Sequence, residues 1–204
     1  DPDVAVVTVG VEARADKVNK ARTEAARAMN GILAVLPDTG VQKSDIRTSY
    51  LDISPQYSWR ERTDSHGNRY SQQILVGYIV TNQVVVTIRE LDLVGRIVDD
   101  IAIAGGDLTR IQGIRFTVSD PTPIQATARE LAVAEVLRKA NQYADLALVT
   151  LGQMIYLSEF SSTPVVREEF ARAEMSVASI DVSTPISAGQ LEIRATIQAA
   201  FAIQ

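Results

Sequence analysis

The sequence predicts an α+β fold in which helices pack on one face of an antiparallel sheet. Three observations predict it. Strand-like and helix-like segments follow the order β-α-β-β-α-β through residue 119, the second and third strands are joined by a short polar turn, and a further helix and two strands follow. Two β-α-β crossovers joined by a hairpin form a split β-α-β arrangement, whereas a hairpin would interrupt a parallel doubly wound sheet. We therefore expect a β-α-β-β-α-β core followed by α-β-β, in a single domain spanning 1–204.

The first strand and the first helix follow directly from local sequence. Residues 4–13 are rich in β-branched side chains, which favour strands, and Gly10 is placed for a β-bulge. Asp16 is a good N-cap for a helix over 17–36, where apolar residues recur at spacings of three and four. This apolar stripe comprises Val18, Ala21, Ala25, Met29, Ile32 and Leu36.

Two segments with apolar residues at every second position predict a long β-hairpin over 45–89. In the first, 45–60, these residues are Leu51, Ile53, Pro55, Tyr57 and Trp59. In the second, 70–89, they are Tyr70, Ile74, Val76, Tyr78, Val80, Val84, Val86 and Ile88. Arms of this length reach roughly 50–65 Å at about 3.3 Å per residue. The hairpin therefore either bends at Pro55 and Gly77 or protrudes from its own domain.

The remaining elements carry recognisable start and stop signals. Asp92 can cap a second helix over 92–104, and Gly105 suits the left-handed position that ends it. A strand follows at 110–119. Thr122 as N-cap, with Pro123 and Gln125 behind it, predicts a third helix that runs to about Ala147, whose many alanines suggest tight docking. Strands are expected at 152–160 and 190–203, with an irregular segment at 161–187 that contains one short helical turn.

Composition and charge exclude several functional classes. The formal net charge is −5, which argues against a general nucleic-acid binder because such proteins need a basic face. The chain has no cysteine, so disulfides and thiolate chemistry are excluded. No apolar run approaches the roughly 20 residues that span a bilayer. The chain begins without Met in a strand-like run, from which we expect that a signal peptide has been removed.

His66 is the first candidate for chemistry, because it is the only histidine of the chain. It lies between Ser65 and Gly67 in the predicted hairpin turn, where a solvated turn residue is the simplest interpretation. Catalysis would need a nucleophile and an orienting partner, and a zinc site would need several carboxylates, since no second His or Cys exists. We therefore expect no catalytic residue, no metal and no cofactor.

Trp59 is the more informative residue of this stretch. If the strand alternation holds, Trp59 either covers the core of its own domain or anchors a protein–protein contact on a projecting arm. Aromatic residues with interleaved arginines are enriched at interface hot spots. We take as candidate interaction residues Tyr57, Trp59, Arg60, Arg62, His66 and Tyr70.

Three other features have simpler interpretations. Asp99 and Asp100 lie on the second helix, where at least one faces solvent, so an acid pair for catalysis is improbable. The pair Gly105 and Gly106 matches neither the P-loop nor the dinucleotide fingerprint. A third feature is the charged run of the irregular segment, which is most simply a solvated helical turn; it comprises Arg167, Glu168, Glu169 and Arg172.

Nearly the whole chain resembles the SIMPL-domain family of bacterial cell-envelope proteins, which also has a kinase-associated signalling relative in mammals. The resemblance rests on the order and spacing of several segments. They are "PDVAVVTVGVEA", "GVQKSDIRTSYLDISPQY", "VGYIVTNQVVVTIRELDLVGRIVDDIAIAGG", "ARELAVAEVLRKANQYADLALVTLGQM" and "AGQLEIRATIQAAFAI". The most telling positions are Thr48, Ile53, Pro55 and Tyr57, and the pair Gly77–Tyr78. Leu148 departs from the pattern, since it stands where family members often have glycine.

The resemblance implies an α+β fold, export to the periplasm or cell surface, and assembly into oligomers, with a link to stress tolerance in some members. It implies no catalytic residue. The leading hypothesis is therefore a non-catalytic, exported protein that self-associates through the long hairpin and the 161–187 segment. The alternatives are a monomeric or dimeric module that binds a ligand or a partner, and, least favoured, an enzyme. Subunit number, symmetry and the natural partner stay open.

Overall fold

The chain forms two compact units in a computed structural model that describes residues 1–161, 165–167 and 184–204. The N-terminal unit comprises residues 3–117 together with the described part of 176–188. The C-terminal unit comprises the described residues of 118–175 and 189–204, together with Asp1–Pro2. The expectation of a single domain over 1–204 stays a prediction.

The N-terminal unit contains the predicted split β-α-β arrangement. Its elements in chain order are β1 (Val4–Ala15), α1 (Val18–Val35), β2 (Ile46–Thr63), β3 (Arg69–Ile88), α2 (Val94–Gly105) and β4 (Thr109–Thr117). The four strands form one sheet in the order β2-β3-β1-β4, and every pairing in it is antiparallel. The predicted α+β fold is therefore confirmed.

The core lies between one face of this sheet and the two helices. Along β1 the alternate residues Ala5, Val7, Val9, Val11 and Ala13 are fully buried, as strand alternation requires for a sheet covered on one side. The predicted stripe of α1 is confirmed, because its central members are buried. α2 adds Val94, Ile97, Val98 and Ile101.

The predicted helix caps are wrong in the N-terminal unit. The residue before α1 is Lys17, not Asp16, because the extended chain continues for one residue beyond it. A 3-10 turn over Leu91–Leu93 precedes α2, so Asp92 caps no α-helix. Gly105 is right-handed, and Gly106, which follows α2, combines a φ of 57° with a ψ of −148°, so neither residue takes the predicted left-handed helical conformation.

Gly10 is not a bulge, and it has a different role. The extra residue of the β1–β4 ladder is Gln112 in β4, because Thr8 pairs with Gly113 while Val9 pairs with Ile111. A Cβ at Gly10 would come 2.7 Å from the carbonyl oxygen of Asn82 on β3. The glycine therefore allows the two backbones to approach closely.

The C-terminal unit contains one long helix and four strands among its described residues. These elements are α3 (Thr122–Ala147), β5 (Leu151–Ser161), β6 (Val165–Arg167), β7 (Gln190–Glu192) and β8 (Ala195–Ile203). β5 pairs with β8 and β6 with β7, both antiparallel. The predicted closing strand over 190–203 is thus divided into two strands.

Two predictions for the ends of this unit's elements need correction. Thr122 is not the N-cap of α3; Pro121 occupies that position, and the carboxylate of Asp120 accepts a 3.0 Å hydrogen bond from the Thr122 amide. Arg167 lies in β6 and not in a helical turn. The other residues of that predicted turn, Glu168, Glu169 and Arg172, lie outside the described residues, as does most of the 161–187 segment.

The prediction that the alanines of α3 dock tightly is wrong. Among the described residues of α3, β5 and β8, Ala144 is the only one that is buried. A sheet of two strands is too narrow to cover a 26-residue helix. The alanines therefore favour the helix through their propensity rather than through burial.

Candidate functional site

The hairpin arm, residues 56–77, is the part of β2 and β3 that extends beyond the rest of the sheet. The last residue of β1 that pairs with β3 is Ala15, which lies opposite Tyr78. Beyond this point β2 is the only described strand that pairs with β3, and every residue from Trp59 to Gln73 is exposed. The predicted protruding hairpin is therefore confirmed.

The base of the arm is a close contact between backbones. A Cβ at Gly77 would come 2.6 Å from the carbonyl oxygen of Ala15. Glycine is therefore required where β1 ends against the arm. The position of Gly77 determines how the arm leaves the sheet.

A β-bulge at the base of the arm changes which side chains share a face. Gln56 pairs with Gly77 but Tyr57 pairs with Leu75, so Val76 is an extra residue of β3. One extra residue reverses the alternation of everything beyond it. The prediction that Tyr70 and Ile74 share a face with Tyr78 and the core valines of β3 is therefore wrong.

The arm presents two different apolar faces to solvent. Directly opposed residues of an antiparallel ladder point to the same side. Tyr57 lies opposite Leu75 and Trp59 opposite Gln73, which defines the Trp59 face. Arg62 lies opposite Tyr70, and Ser58 lies opposite Ile74, and these define the Tyr70 face, which also carries Arg60.

Trp59 does not cover the core of its own unit. Its side chain is 68% exposed, and those of Tyr57 and Tyr70 are 52% and 49% exposed. Of the two interpretations left open by the sequence, an exposed aromatic on a projecting arm is the one that this geometry fits. Large apolar side chains grouped on such an arm are typical of an interaction surface.

The tip of the arm is held by the carboxylate of Asp64. Its Oδ1 accepts hydrogen bonds from the amides of His66 at 2.8 Å and Asn68 at 2.9 Å, and its Oδ2 accepts one from the Asn68 side chain at 3.1 Å. Gly67 closes the turn with a φ of 84°. The hydrogen bonds from the backbone and side chain of Asn68 lower the pKa of the Asp64 carboxyl.

The described neighbours of His66 at this tip are residues of the turn itself. The neighbouring polar side chain is Ser65, whose Oγ lies 3.3 Å from His66 Nδ1. Asp64, the nearest carboxylate in sequence, is already occupied by backbone amides. Across the described residues, no three His, Asp or Glu side chains come together as a possible metal site.

Asp99 and Asp100 of α2 do not form an acid pair. Asp99 accepts hydrogen bonds from the Thr184 hydroxyl at 2.6 Å and the Thr184 amide at 3.0 Å, and these bonds lower the pKa of its carboxyl. Asp100 lies 3.8 Å from Arg96 on the same helix. Asp99 therefore fixes the start of the segment 184–188, from which Ile186 packs against the core.

The C-terminal unit carries an apolar surface that sequence reasoning missed. Its members are Leu131, Tyr143 and Leu146 on α3, and Ile155, Tyr156, Leu157 and Phe160 on β5, and all of them are exposed. On β5 the alternation is lost, because Met154 to Leu157 are four consecutive apolar residues. This surface could have been predicted from that run, because a strand with apolar residues on both faces is typically packed against other elements on both faces.

The C-terminal unit also contains an apolar groove between α3 and the β5–β8 pair. Its volume is about 530 Å³. Its walls include Ala140, Ala144 and Ala147 of α3 and Ile197 and Phe201 of β8. Among the residues that the structure describes, Lys139 is the only charged one that lines it. No feature of the sequence predicted this groove.

A comparison with known protein families assigns nearly the whole chain to one family. The family SIMPL, described as "Protein of unknown function (DUF541)", matches residues 1–201. The chain belongs to the SIMPL family. None of the helices in the part of this SIMPL chain that the structure describes is long and apolar enough to cross a membrane.

The chain is also similar to three known proteins along most of its length. The chain is similar to the "26 kDa periplasmic immunogenic protein" of Brucella abortus strain S19, at 30% identity over 211 residues that cover 100% of this chain and 80% of the relative. The Brucella melitensis protein of the same name is 29% identical with the same coverage. The "Uncharacterized protein YggE" of Escherichia coli K12 is 25% identical over 201 residues, which cover 97% of this chain and 73% of the relative. None of these printed names is that of an enzyme.

Proposed function

We propose that this SIMPL protein is a non-catalytic, exported protein of the cell envelope that self-associates. Export is supported by the names of its Brucella relatives, which are periplasmic proteins and which this chain matches over its full length. Self-association is supported by the exposed apolar surface of the protein.

The single observation that carries the proposal is the exposed aromatic arm. Trp59 is 68% exposed on a two-stranded extension that no other described strand supports. An isolated two-stranded hairpin is marginally stable in water. Such an arm is stabilised when its apolar faces pack against a second chain.

The arm offers the chemistry of an interface. Tyr57 and Trp59 can bury a large apolar area at a contact, and Tyr70 can do so on the other face. Polar contacts at the rim would come from Arg60, Arg62 and His66. β2 is also an edge strand of the described sheet, so its outer N–H and C=O groups are available for pairing with a strand of another copy.

The test is the molar mass in solution of the wild type and of a shortened-arm version, measured by light scattering. The shortened version lacks residues 59–73 and joins Ser58 to Ile74 through Asn-Gly. Ser58 and Ile74 are directly opposed, so a two-residue turn preserves the register of the rest of the hairpin. We expect the wild type to form oligomers and the shortened-arm version to have a lower mass.

A matched control separates the arm from apolar surface in general. Ile103 on α2 is 80% exposed and lies outside the arm. Ile103→Ser should leave the mass unchanged, whereas Trp59→Ser should lower it. A wild type that stays at 22.2 kDa at micromolar concentration would contradict the proposal.

A role in stress tolerance is implied by the family resemblance and belongs to the same proposal. It predicts that a strain lacking this protein survives oxidative or heat stress less well than its parent. A strain carrying the shortened-arm version should show the same defect if the role depends on assembly.

A second candidate function, binding of a ligand by a module of the periplasm, is favoured by the apolar groove of the C-terminal unit. A concave apolar site with a few polar groups is typical of small-molecule binding. The groove and the arm are separate features, so the two functions are tested independently.

A further inference from the structure

The groove of the C-terminal unit has the dimensions of a small-molecule site. Its volume of about 530 Å³ falls within the range of about 300–1,000 Å³ that such sites occupy. Its wall on α3 runs from Val136 to Ala147, which is a length of about 16 Å at 1.5 Å per residue.

The lining of the groove indicates what can occupy it. Twelve of the thirteen described residues that line it are uncharged, and most of them are aliphatic or aromatic. A single alkyl chain can follow such a wall along α3 and bury its apolar surface there.

The side chains of the walls favour an alkyl chain as well. Ala140, Ala144 and Ala147 lie on α3 at spacings of four and three, so they follow one face of the helix. Because these side chains are small, an open space remains between α3 and the Ile197 and Phe201 side chains of β8. An alkyl chain that moves from water into such a space gains about fourfold in affinity for each CH₂ group it buries.

The side chain of Lys139 places a positive charge in the wall of the groove. Lys139 is the only charged residue among the described residues of the lining, and Tyr143 lies one helical turn from it. The Nζ of Lys139 lies 3.5 Å from Glu135, but that carboxylate is already bound at 2.6 and 2.7 Å by Arg138. The half-exposed Lys139 can therefore turn to an anionic group of a bound ligand while Glu135 keeps Arg138 as its stronger partner.

We infer that this groove binds a single-chain amphiphile with an anionic head group. The alkyl chain lies along the alanines of α3, and the head group pairs with Lys139. The inference rests on the second candidate function, whose ligand class it names, and it does not depend on self-association, because the groove lies within the C-terminal unit and the arm belongs to the N-terminal unit.

The test uses isothermal titration calorimetry of the full chain with three twelve-carbon probes below their micellar concentrations. The probes are dodecanoate, lauroyl lysophosphatidylglycerol and the neutral dodecyl maltoside. We expect both anionic probes to bind one per chain and more tightly than dodecyl maltoside. The tighter of the two anionic probes shows whether the source of the ligand is a free acid or a phospholipid.

Two kinds of variant test whether the probes bind in the groove. Lys139→Gln should weaken dodecanoate binding about fivefold to tenfold, as expected for one partly exposed charged hydrogen bond, and should leave dodecyl maltoside binding unchanged. Lys20→Gln on α1, another exposed lysine, should leave both unchanged. Ala140→Phe and Ala199→Phe fill the groove from its two walls and should each abolish binding.

The outcomes are distinguishable. Circular dichroism shows whether each phenylalanine variant folds. If one of them does not fold, the binding measured for the other variant is the test. Three results would overturn the inference: no binding of any probe, equal binding of dodecanoate and dodecyl maltoside, or binding that both folded phenylalanine variants retain.

Discussion

Trp59 and Tyr70 point to opposite faces of the hairpin arm. Tyr70 lies directly opposite Arg62, three residues beyond Trp59, and an odd number of residues along a strand reverses the side. The arm therefore has two separate apolar faces, and an interface that buries one of them need not bury the other.

The first prediction concerns these two faces. Tyr57, Trp59 and Leu75 share one face, which makes it the larger apolar surface. Trp59→Ser should weaken self-association by at least about 30-fold, as expected for a hot-spot residue worth about 2 kcal/mol or more. Tyr70→Ser should weaken it less than fivefold. Sedimentation velocity over a concentration series measures both.

A double variant provides the control for this prediction. Tyr57 and Trp59 are neighbours on one face, so the effects of their substitutions should not add. Those of Trp59 and Tyr70 should be independent. Equal effects of Trp59→Ser and Tyr70→Ser would contradict the assignment of the contact to the Trp59 face.

The second prediction concerns the pH dependence of the tip. The pKa of Asp64 is lowered in the folded arm, so its contribution to the turn is present above the unfolded value of about 3.9 and is lost as the pH falls through the lowered value. NMR should show the amides of His66 and Asn68 losing their downfield shifts only below about pH 4.

Substitutions at Asp64 check this cause. Asp64→Ala removes the acceptors of all three hydrogen bonds and should abolish the shifts at every pH. Asp64→Asn keeps one oxygen acceptor and should retain part of the shifts without the acid transition. Amide shifts that do not change in Asp64→Ala would contradict the role of the carboxylate.

The third prediction concerns the end of α3. Leu148 has a φ of 56°, the only positive φ of a non-glycine residue in the described chain, and its side chain is 93% exposed. The Val149 amide donates to Ala144 and the Leu148 amide to Asp145, a pair of bonds that favours glycine at this position. Leu148→Gly should therefore raise the free energy of unfolding by about 1 kcal/mol.

Leu131 supplies the matched control. It is also exposed, at 68%, but it lies in the interior of the helix, where glycine is unfavourable. Leu131→Gly should lower the free energy of unfolding by about 1 kcal/mol. Chemical denaturation followed by circular dichroism measures both variants. Changes of the same sign would contradict this explanation.

The fourth prediction concerns the base of the arm. A Cβ at Gly77 would lie 2.6 Å from the carbonyl oxygen of Ala15, and backbone cannot move aside as a flexible side chain can. Gly77→Ala should lower the free energy of unfolding by about 1–3 kcal/mol, measured by chemical denaturation. Val76→Ala, at the adjacent and exposed extra residue, should cost less. A neutral Gly77→Ala would show that the strands separate easily at this point.

The order of elements in the N-terminal unit could be predicted from sequence, because its apolar periods are regular. The face of Tyr70 could not, since Ile74, Leu75 and Val76 are three consecutive apolar residues and hide the phase of the alternation. The helix caps failed where a 3-10 turn, as at Leu91–Leu93, competes with a side-chain cap.

The C-terminal unit was less predictable for a different reason. Its groove depends on how α3 packs against β8, which begins about 50 residues after the helix ends, and local pattern carries no information over that distance. Leu148 is the exception. Its departure from the family pattern indicated a glycine position, and the backbone there is left-handed.

The contact between copies through the arm is tested most directly by the fluorescence of Trp59, because the chain has no other tryptophan. Emission is recorded across a dilution series in which the molar mass is measured in parallel. We predict a shift to shorter wavelength, from that of an exposed indole, as the mass rises above 22.2 kDa. A rise in mass with unchanged emission, or a mass that never rises, would contradict a contact made by the arm.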